Sequence, residues 1–254
     1  MTIDRRKALL NIIQDNNSAR VTDLAKRFSV STETIRKDLI VLEESGLVVR
    51  GHGGAIISEG HYDLPLGIKL QTNNESKRTI TEKCVSLLSG KSSVFIGPGS
   101  TETMISKLLL RRNDIKIFTN SIMIAQIYCD SKMNNNNVIF LGGSIESISM
   151  GTVGSLTLDS IDAMFFDYAI LGTSGFEKME GPSTFSYGEL SVNKKVIQRS
   201  RKSIVIGDSS KFNRTSLFLY ARWEEVDILV TNRDENNEAM IEEIGQKVEI
   251  VFAD

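Results

Sequence analysis

The chain is predicted to fold as two domains of different class, an N-terminal winged helix-turn-helix of α+β type and a C-terminal α/β domain with a mostly parallel sheet. Three observations predict this. Apolar residues fall at Val21, Leu24, Ala25 and Phe28, skip to Val30, and resume at Ile35, Leu39 and Leu42. That is helical spacing, a break, and helical spacing again. Next come Leu47-Val-Val-Arg50, a Gly51-His-Gly-Gly54 turn and Ala55-Ile-Ile57, which read as the hairpin of a wing. From Glu75 onward, apolar runs of strand length alternate with helical stretches, the pattern of a parallel sheet covered on both faces.

A length of 254 residues accommodates both domains. The expected division is 1–57 for the winged domain, 58–74 for a polar linker carrying Gly60, Pro65 and Gly67, and 75–254 for the α/β domain. Residues 3–15 form a first helix, with Ile3, Leu9, Leu10, Ile12 and Ile13 as its apolar stripe, and Asp15-Asn-Asn-Ser-Ala-Arg20 breaks it. Thr22 is the expected N-cap of the second helix, and Ser31 or Thr32 that of the third. Gly46 stops the third helix as a C′ glycine. Beyond the linker, strands are expected at 93–96, 115–118, 138–141, 168–171, 203–206, 228–230 and 248–251. Helices are expected at 75–88, 101–110, 121–129, 187–200 and 235–244. The stretch 212–225, with Phe218, Tyr220 and Trp223, has no clear period; its aromatics read as core or subunit-interface residues. Asn134 to Asn137 make a polar loop.

Composition narrows the function classes. The net charge of -2 does not by itself suggest nucleic acid, but residues 1–57 carry nine Lys or Arg against seven Asp or Glu, leaving the remainder at -4. Two cysteines, Cys84 and Cys129, make neither a disulfide framework nor a metal spacing, and both read as buried thiols. With His52 and His61 the only histidines, no zinc cluster can be assembled. No metal, cofactor or catalytic residue is expected. No apolar run approaches the about 20 residues of a membrane span, and the N-terminus has no apolar signal core. The expected location is the cytoplasm, with no membrane partner.

In a helix-turn-helix the second helix enters the major groove and its N-terminal exposed residues meet base edges. With Ile35, Leu39 and Leu42 turned to the core, Thr32, Thr34, Arg36 and Lys37 face outward. Arg bonds guanine in bidentate fashion, and Thr bonds bases or phosphates. The wing residues Arg50 and His52 are expected at the backbone or the minor groove. A solvated basic helix face, or a winged helix used for protein contact, is the alternative at this point.

Ligands of open α/β sheets bind beyond the carboxyl ends of the strands. The turns there read Gly97-Pro-Gly-Ser-Thr101, Thr119-Asn-Ser121, Gly142-Gly-Ser144, Gly172-Thr-Ser-Gly175 and Asp208-Ser-Ser-Lys211, all small and polar. Gly99, Ser100 and Thr101 open a helix, so free N–H groups and two hydroxyls lie at its positive end, which suits a phosphate. Lys211 adds a cation, and Asn120 and Ser121 suit sugar hydroxyls. Gly142, Gly143 and Ser174 complete the set. Lys194-Lys195 and the basic run from Arg199 to Lys202 read as a solvated face or as phosphate support.

The motif Ser-Thr-Glu-Thr-Ile-Arg-Lys-Asp-Leu, then Leu-Glu-Glu-Ser-Gly-Leu, then Arg-Gly-His-Gly-Gly-Ala resembles the DeoR family of bacterial transcription regulators, and the resemblance continues over nearly the whole chain. Lys37 stands where the family more often has Arg, which keeps the charge but not the planar fork and points to phosphate contact. The resemblance implies an effector domain similar to ribose-5-phosphate isomerase and a phosphorylated sugar as effector. Its further marks are Gly-Ser-Thr at 99–101, Thr-Asn-Ser at 119–121, Gly-Gly at 142–143, Glu189 with Lys194, and Asp208 with Ser210, Lys211 and Phe212. Gly97 stands where the family often has Asp. The isomerases it resembles carry an Asp-Gly-Ala-Asp turn, and the matching Leu171-Gly-Thr-Ser174 has neither carboxylate. Glu189 matches the isomerase base, or is a solvated carboxylate at a helix start.

The expected function is that of a regulator of double-stranded operator DNA, a repressor of a carbohydrate-metabolism operon, modulated by a small phosphorylated sugar and acting as a homo-oligomer, dimer or tetramer. The alternative is a sugar-phosphate isomerase with an accessory DNA-binding domain.

Overall fold

In the computed structural model the chain divides into two compact units, Met1–Ile68 and Lys69–Asp254. The structure describes residues 2–16, 18–44, 47–51, 53–57, 63, 65–70, 72–131, 138–177, 179–212, 214 and 216–253. Gly46, His52, Gly60, His61 and Asn134 to Asn137 lie outside the described residues.

The first unit runs α1 (Thr2–Asn16), β1 (Ser18–Arg20), α2 (Val21–Arg27), α3 (Thr32–Glu44), β2 (Val48–Gly51) and β3 (Gly54–Ile57). The three strands form an antiparallel sheet in the order β1-β3-β2. The break expected at 15–20 is therefore in part a strand, and α2 follows it without a spacer. This displaces the expected cap: Arg20 is the N-cap of α2, with no side-chain bond, while Thr22 lies one turn residue inside the helix. At the wing tip Gly51 pairs with Gly54, and Gly53 has φ +81°. A Cβ on Gly54 would lie 2.5 Å from the Ala19 carbonyl oxygen, so the close approach of β1 requires glycine there.

The turn between α2 and α3 closes by two bonds, Ser29 N–H to Lys26 O at 3.3 Å and Val30 N–H to Ala25 O at 3.1 Å. Ser29 is left-handed at φ 52°. This is the Schellman pattern, with serine in the place glycine usually takes. Ser31 then caps α3, its hydroxyl accepting from Thr34 N–H at 3.1 Å. Leu9, Leu10 and Ile13 of α1 join Leu24, Ile35 and Leu39 in one buried core. Beside it, Asp38 is 2% exposed and accepts from Arg5 Nε at 2.6 Å and Arg6 Nε at 2.9 Å. Its carboxylate clamps α1 to α3.

The second unit begins with α4 (Leu66–Lys69), which straddles the boundary, and α5 (Asn74–Ser86). Part of the expected 58–74 linker is thus ordered, because Leu66 is buried. There follow β4 (Ser92–Ile96), α6 (Ser100–Leu109), β5 (Ile115–Thr119), α7 (Ile122–Asp130), β6 (Val138–Phe140), β7 (Ser144–Glu146), β8 (Gly151–Val153), α8 (Ser155–Asp162) and β9 (Phe166–Gly172). The chain ends with β10 (Gly175–Glu177), β11 (Gly181–Thr184), α9 (Tyr187–Gln198), β12 (Ser200–Ile206), β13 (Phe218–Leu219), β14 (Ile228–Thr231), α10 (Glu238–Gly245) and β15 (Glu249–Phe252).

Seven strands form one sheet in the order β15-β14-β12-β9-β4-β5-β6, and every pair in it is parallel. Alternate strand residues enter two cores. Val94 and Ile96 of β4, with Ile204 and Ile206 of β12, face Ile80 of α5, Ile105 of α6 and Ile124 of α7. Phe95, Val205 and Leu229 face Ile161 of α8, Val192 of α9 and Ile244 of α10. Burial on both faces explains strands that are apolar without alternation. Tyr220 and Trp223 lie in the second of these cores, which decides between the two places expected for them. Cys84 is buried but Cys129 is exposed, contrary to expectation, because α7 turns Ile124 and Tyr128 inward. Among the described residues no helix is long and apolar enough to cross a membrane.

Replacing Asp38 with alanine strands two arginines and removes two charge-assisted bonds. The expected loss is about 2–3 kcal/mol of stability, read as a lower urea midpoint for the first unit with the second unchanged. An unchanged midpoint would show that the clamp contributes nothing.

Candidate functional site

The first unit presents a helix face. Thr32, Arg36 and Lys37 are exposed on the first two turns of α3, and Thr34 is half-buried, with its hydroxyl 2.8 Å from that of Ser31. Arg36 lies 3.8 Å from Glu33, with the two side chains 60% and 64% exposed. A pair so open to water is worth little, so exchanging Glu33 for a phosphate or a base edge costs little. Arg50 differs from expectation. Its N–H and Nε bond Glu43 at 2.9 Å and 2.6 Å, which ties the wing to the C-terminal half of α3. The same two bonds hold the Glu43 carboxyl below its usual range. Of the predicted residues, Thr32, Arg36 and Lys37 are exposed on α3 and Thr34 is half-buried, Arg50 is committed to Glu43, and His52 lies outside the described residues.

In the second unit the candidate site is the topological switch point of the sheet, where open α/β folds leave a crevice. The strand order reverses at β4: the chain lays β5 and β6 on one side of it, then returns to place β9 on the other. Such a switch point opens a gap beyond the strand ends. Here it is bounded by the turn from β4 to α6 and by the end of β9, which are joined by Gly97 N–H donating to Ile170 O at 3.0 Å. Gly99 is the N-cap of α6, and Ser100 and Thr101 are buried in its first turn.

The side chain that fills the crevice is Glu102, which is 3% exposed. A Cβ on Gly99 would lie 2.1 Å from its Oε2, and one on Gly172 2.2 Å from its Oε1. The carboxylate thus lies between two bare backbone segments, and both must be glycine to admit it. Burial pushes this carboxyl up, against the lowering pull of its own N–H, of Lys69, of the Gly172 N–H and of Lys211. Tyr220 closes one wall, donating to Gly172 O at 2.6 Å. Burial, then Glu102 and Glu189, hold its phenol neutral. Cys84 lies below, its thiol pushed up to about 12 by burial and by Glu102.

The remaining predicted residues divide. Lys211 and Glu189 belong to this electrostatic group. Glu189 is not a solvated carboxylate, since it accepts from the hydroxyl of buried Thr184. Asn120 and Ser121 are 1% and 0% exposed and serve the fold. Asn120 Nδ2 donates to Thr152 O at 2.8 Å, and Ser121 caps α7. Together they hold the β7–β8 hairpin against the sheet. Asn120 Oδ1 nevertheless has no donor and is buried. Gly142 O accepts from Thr157 at 2.9 Å, and a Cβ on Gly143 would lie 2.1 Å from Thr157 Oγ1; this pair seats α8. Ser174 is buried, with its N–H on Ser183 O. Asp208 caps Ser210.

Glu102, Lys69 and Tyr220 were not foreseen. An acidic residue in the first turn of a helix reads as a dipole partner facing solvent, and nothing in its spacing says that it turns inward. Among the described residues, no group of three or more His, Cys, Asp or Glu is placed to hold a metal ion.

A carboxyl raised in the folded state keeps its proton to a higher pH than in the unfolded chain. Its contribution to stability is complete below the ordinary value of 4.5 and is lost as pH rises through the raised one. The difference in unfolding midpoint between wild type and Glu102→Gln is therefore expected to move against wild type as pH rises over that window. A difference curve that stays flat would mean that Glu102 titrates as an ordinary glutamate.

Residues 72–233 match the model of the DeoR C terminal sensor domain, and residues 5–60 that of the DeoR-like helix-turn-helix domain. The chain is 29% identical over 228 residues to the glycerol-3-phosphate regulon repressor of Escherichia coli (strain K12), covering 90% of each. It is 28% identical over 231 residues to the HTH-type transcriptional repressor GlcR of Bacillus subtilis (strain 168), covering 91% of this chain and 88% of that one. Ribose 5 phosphate isomerase A from Neisseria gonorrhoeae superposes with a TM-score of 0.40 at 19% identity, covering 57% of this chain and 55% of that one. With both of its units matched, one as the reading head and one as the sensor, the chain belongs to the DeoR family of transcription regulators.

Proposed function

We propose that this chain is a repressor of a carbohydrate-metabolism operon whose hold on operator DNA is set by a phosphorylated sugar bound at the switch-point crevice. The reading domain is 1–57 and the effector domain 75–254. The observation that carries this is the pairing, in one chain, of exposed Thr32, Arg36 and Lys37 on α3 with a sheet switch point where Gly99 and Gly172 enclose a buried carboxylate whose charge Lys69 and Lys211 favour. Relatives named as repressors, one of them of a glycerol-3-phosphate regulon, support both halves. They also support a regulator over an isomerase, as does the Leu171-Gly-Thr-Ser174 turn, which offers no carboxylate.

Arg36 reads a base and Lys37 a phosphate, with Thr32 and Thr34 in support. Arg50 acts chiefly by fixing the wing on Glu43. One winged unit covers a single half-site, so two copies are needed for a paired operator. Exposed Ile145, Leu156, Tyr187 and Leu217 provide apolar surface for a second copy. The protein works in the cytoplasm, where its operator is. Coupling is thermodynamic: a ligand that binds one assembly better than the other shifts DNA occupancy by the same factor that DNA shifts ligand affinity.

The test is a titration of selected duplex DNA at several salt concentrations, with and without a panel of sugar phosphates. Arg36→Ala is expected to cost about 1–3 kcal/mol of binding and relax one base position, and Lys37→Ala to lower the salt slope by about 1. Binding that ignores salt and both substitutions removes the DNA reading. DNA binding that no sugar phosphate alters removes the effector reading.

A further inference from the structure

Glu102 lies where an anion would be held. It is 3% exposed in the first turn of α6, its carboxylate lies against the bare backbone of Gly99 and Gly172 from two different elements, and its charge is favoured by Lys69 and Lys211. N–H donors at a helix start with two cations nearby are what a phosphate requires. The group that occupies this helix start is the chain's own side chain, and the 2.1 and 2.2 Å clearances at Gly99 and Gly172 show that it fills the space between the two backbones. Two anions cannot share that seat.

We propose that Glu102 is the specificity-determining residue of the crevice: its carboxylate occupies the anion seat in the ligand-free protein, and a phosphate-bearing ligand binds by displacing it. This rests on the reading above that a phosphorylated ligand enters the crevice. The displacement filters ligands by charge. A singly charged carboxylate gains nothing over Glu102, whereas a phosphate, with close to two negative charges at neutral pH, gains more from Lys69 and Lys211. Of the other ionisable groups here, Cys84 of α5 and Tyr220 are held neutral and do not compete, and Glu189 of α9, which acts on Tyr220 together with Glu102, is the same in wild type and both variants. Protonating Glu102 weakens the competitor, so anion affinity rises as pH falls.

Sulfate separates this from the ionisation of the ligand, since its charge is constant over the working range. Calorimetric titration of the full chain with sulfate and with glycerol 3-phosphate is expected to give about tenfold tighter binding to Glu102→Ala at neutral pH, the effect of removing one like charge. Glu102→Gln, the uncharged isostere, is expected to shift the same way and decides the matter should the alanine variant not fold. Sulfate binding by wild type is expected to tighten as pH is lowered, and that of the variants to stay level. Equal or weaker binding by folded variants overturns the displacement and leaves the phosphate reading standing. If neither probe binds wild type or variants, both fall together.

Discussion

The reversal of strand order at β4 is the constraint on which the second unit depends. Parallel strands need crossover helices, and those helices must cover both faces of the sheet. Here α5, α6 and α7 cover one face and α8, α9 and α10 the other. The chain changes sides between β6 and β9, and the gap this leaves lies at the start of α6 and the end of β9. Two of its walls are backbone, because Gly99 and Gly172 carry no side chains. A gap lined by N–H groups attracts negative charge, and the chain supplies that charge itself through Glu102.

Around this point the smaller elements act as supports. The β7–β8 hairpin lies against the crevice rim, since a Cβ on Gly151 would come within 2.9 Å of Pro98. The hairpin is held by the bonds between Asn120 and Thr152, and Glu146, the partner of Gly151, accepts from the Ser186 hydroxyl that caps α9. Glu189, one turn into α9, is thereby connected to the same rim. The exposed apolar residues Ile145 and Tyr187 lie on the same hairpin and helix. In the first unit a comparable economy holds: Asp38 fixes α1 on α3, and Glu43 fixes the wing on α3, so the recognition helix is braced from two sides.

Much of this was legible in the residues. Ile35, Leu39 and Leu42 mark the buried face of α3, and by exclusion its exposed face. The apolar runs at β4, β9 and β12 mark a sheet covered on both sides. The glycine and hydroxyl turns after the strands mark the edge of the sheet where its order reverses. Other parts were not legible. α8 hides because Leu156 is exposed and only Thr157 and Ile161 are buried, so its apolar spacing misleads. β1, β7 and β10 are three residues each, too short for a period to register. Asn120 and Ser121 have the chemistry of sugar contacts, yet their depth assigns them to the fold.

The sequence by itself determined the two-domain plan, the reading helix and the strand-end location of the crevice. Each of these rests on local periodicity or turn chemistry, which neighbouring residues encode. Only the tertiary structure decided that Glu102 turns inward between Gly99 and Gly172, that Arg50 is spent on Glu43, and that Lys69 and Lys211 both favour the charge of one carboxylate. Those facts depend on residues up to 142 positions apart in the chain, brought together by a sheet whose order is not written in any one segment.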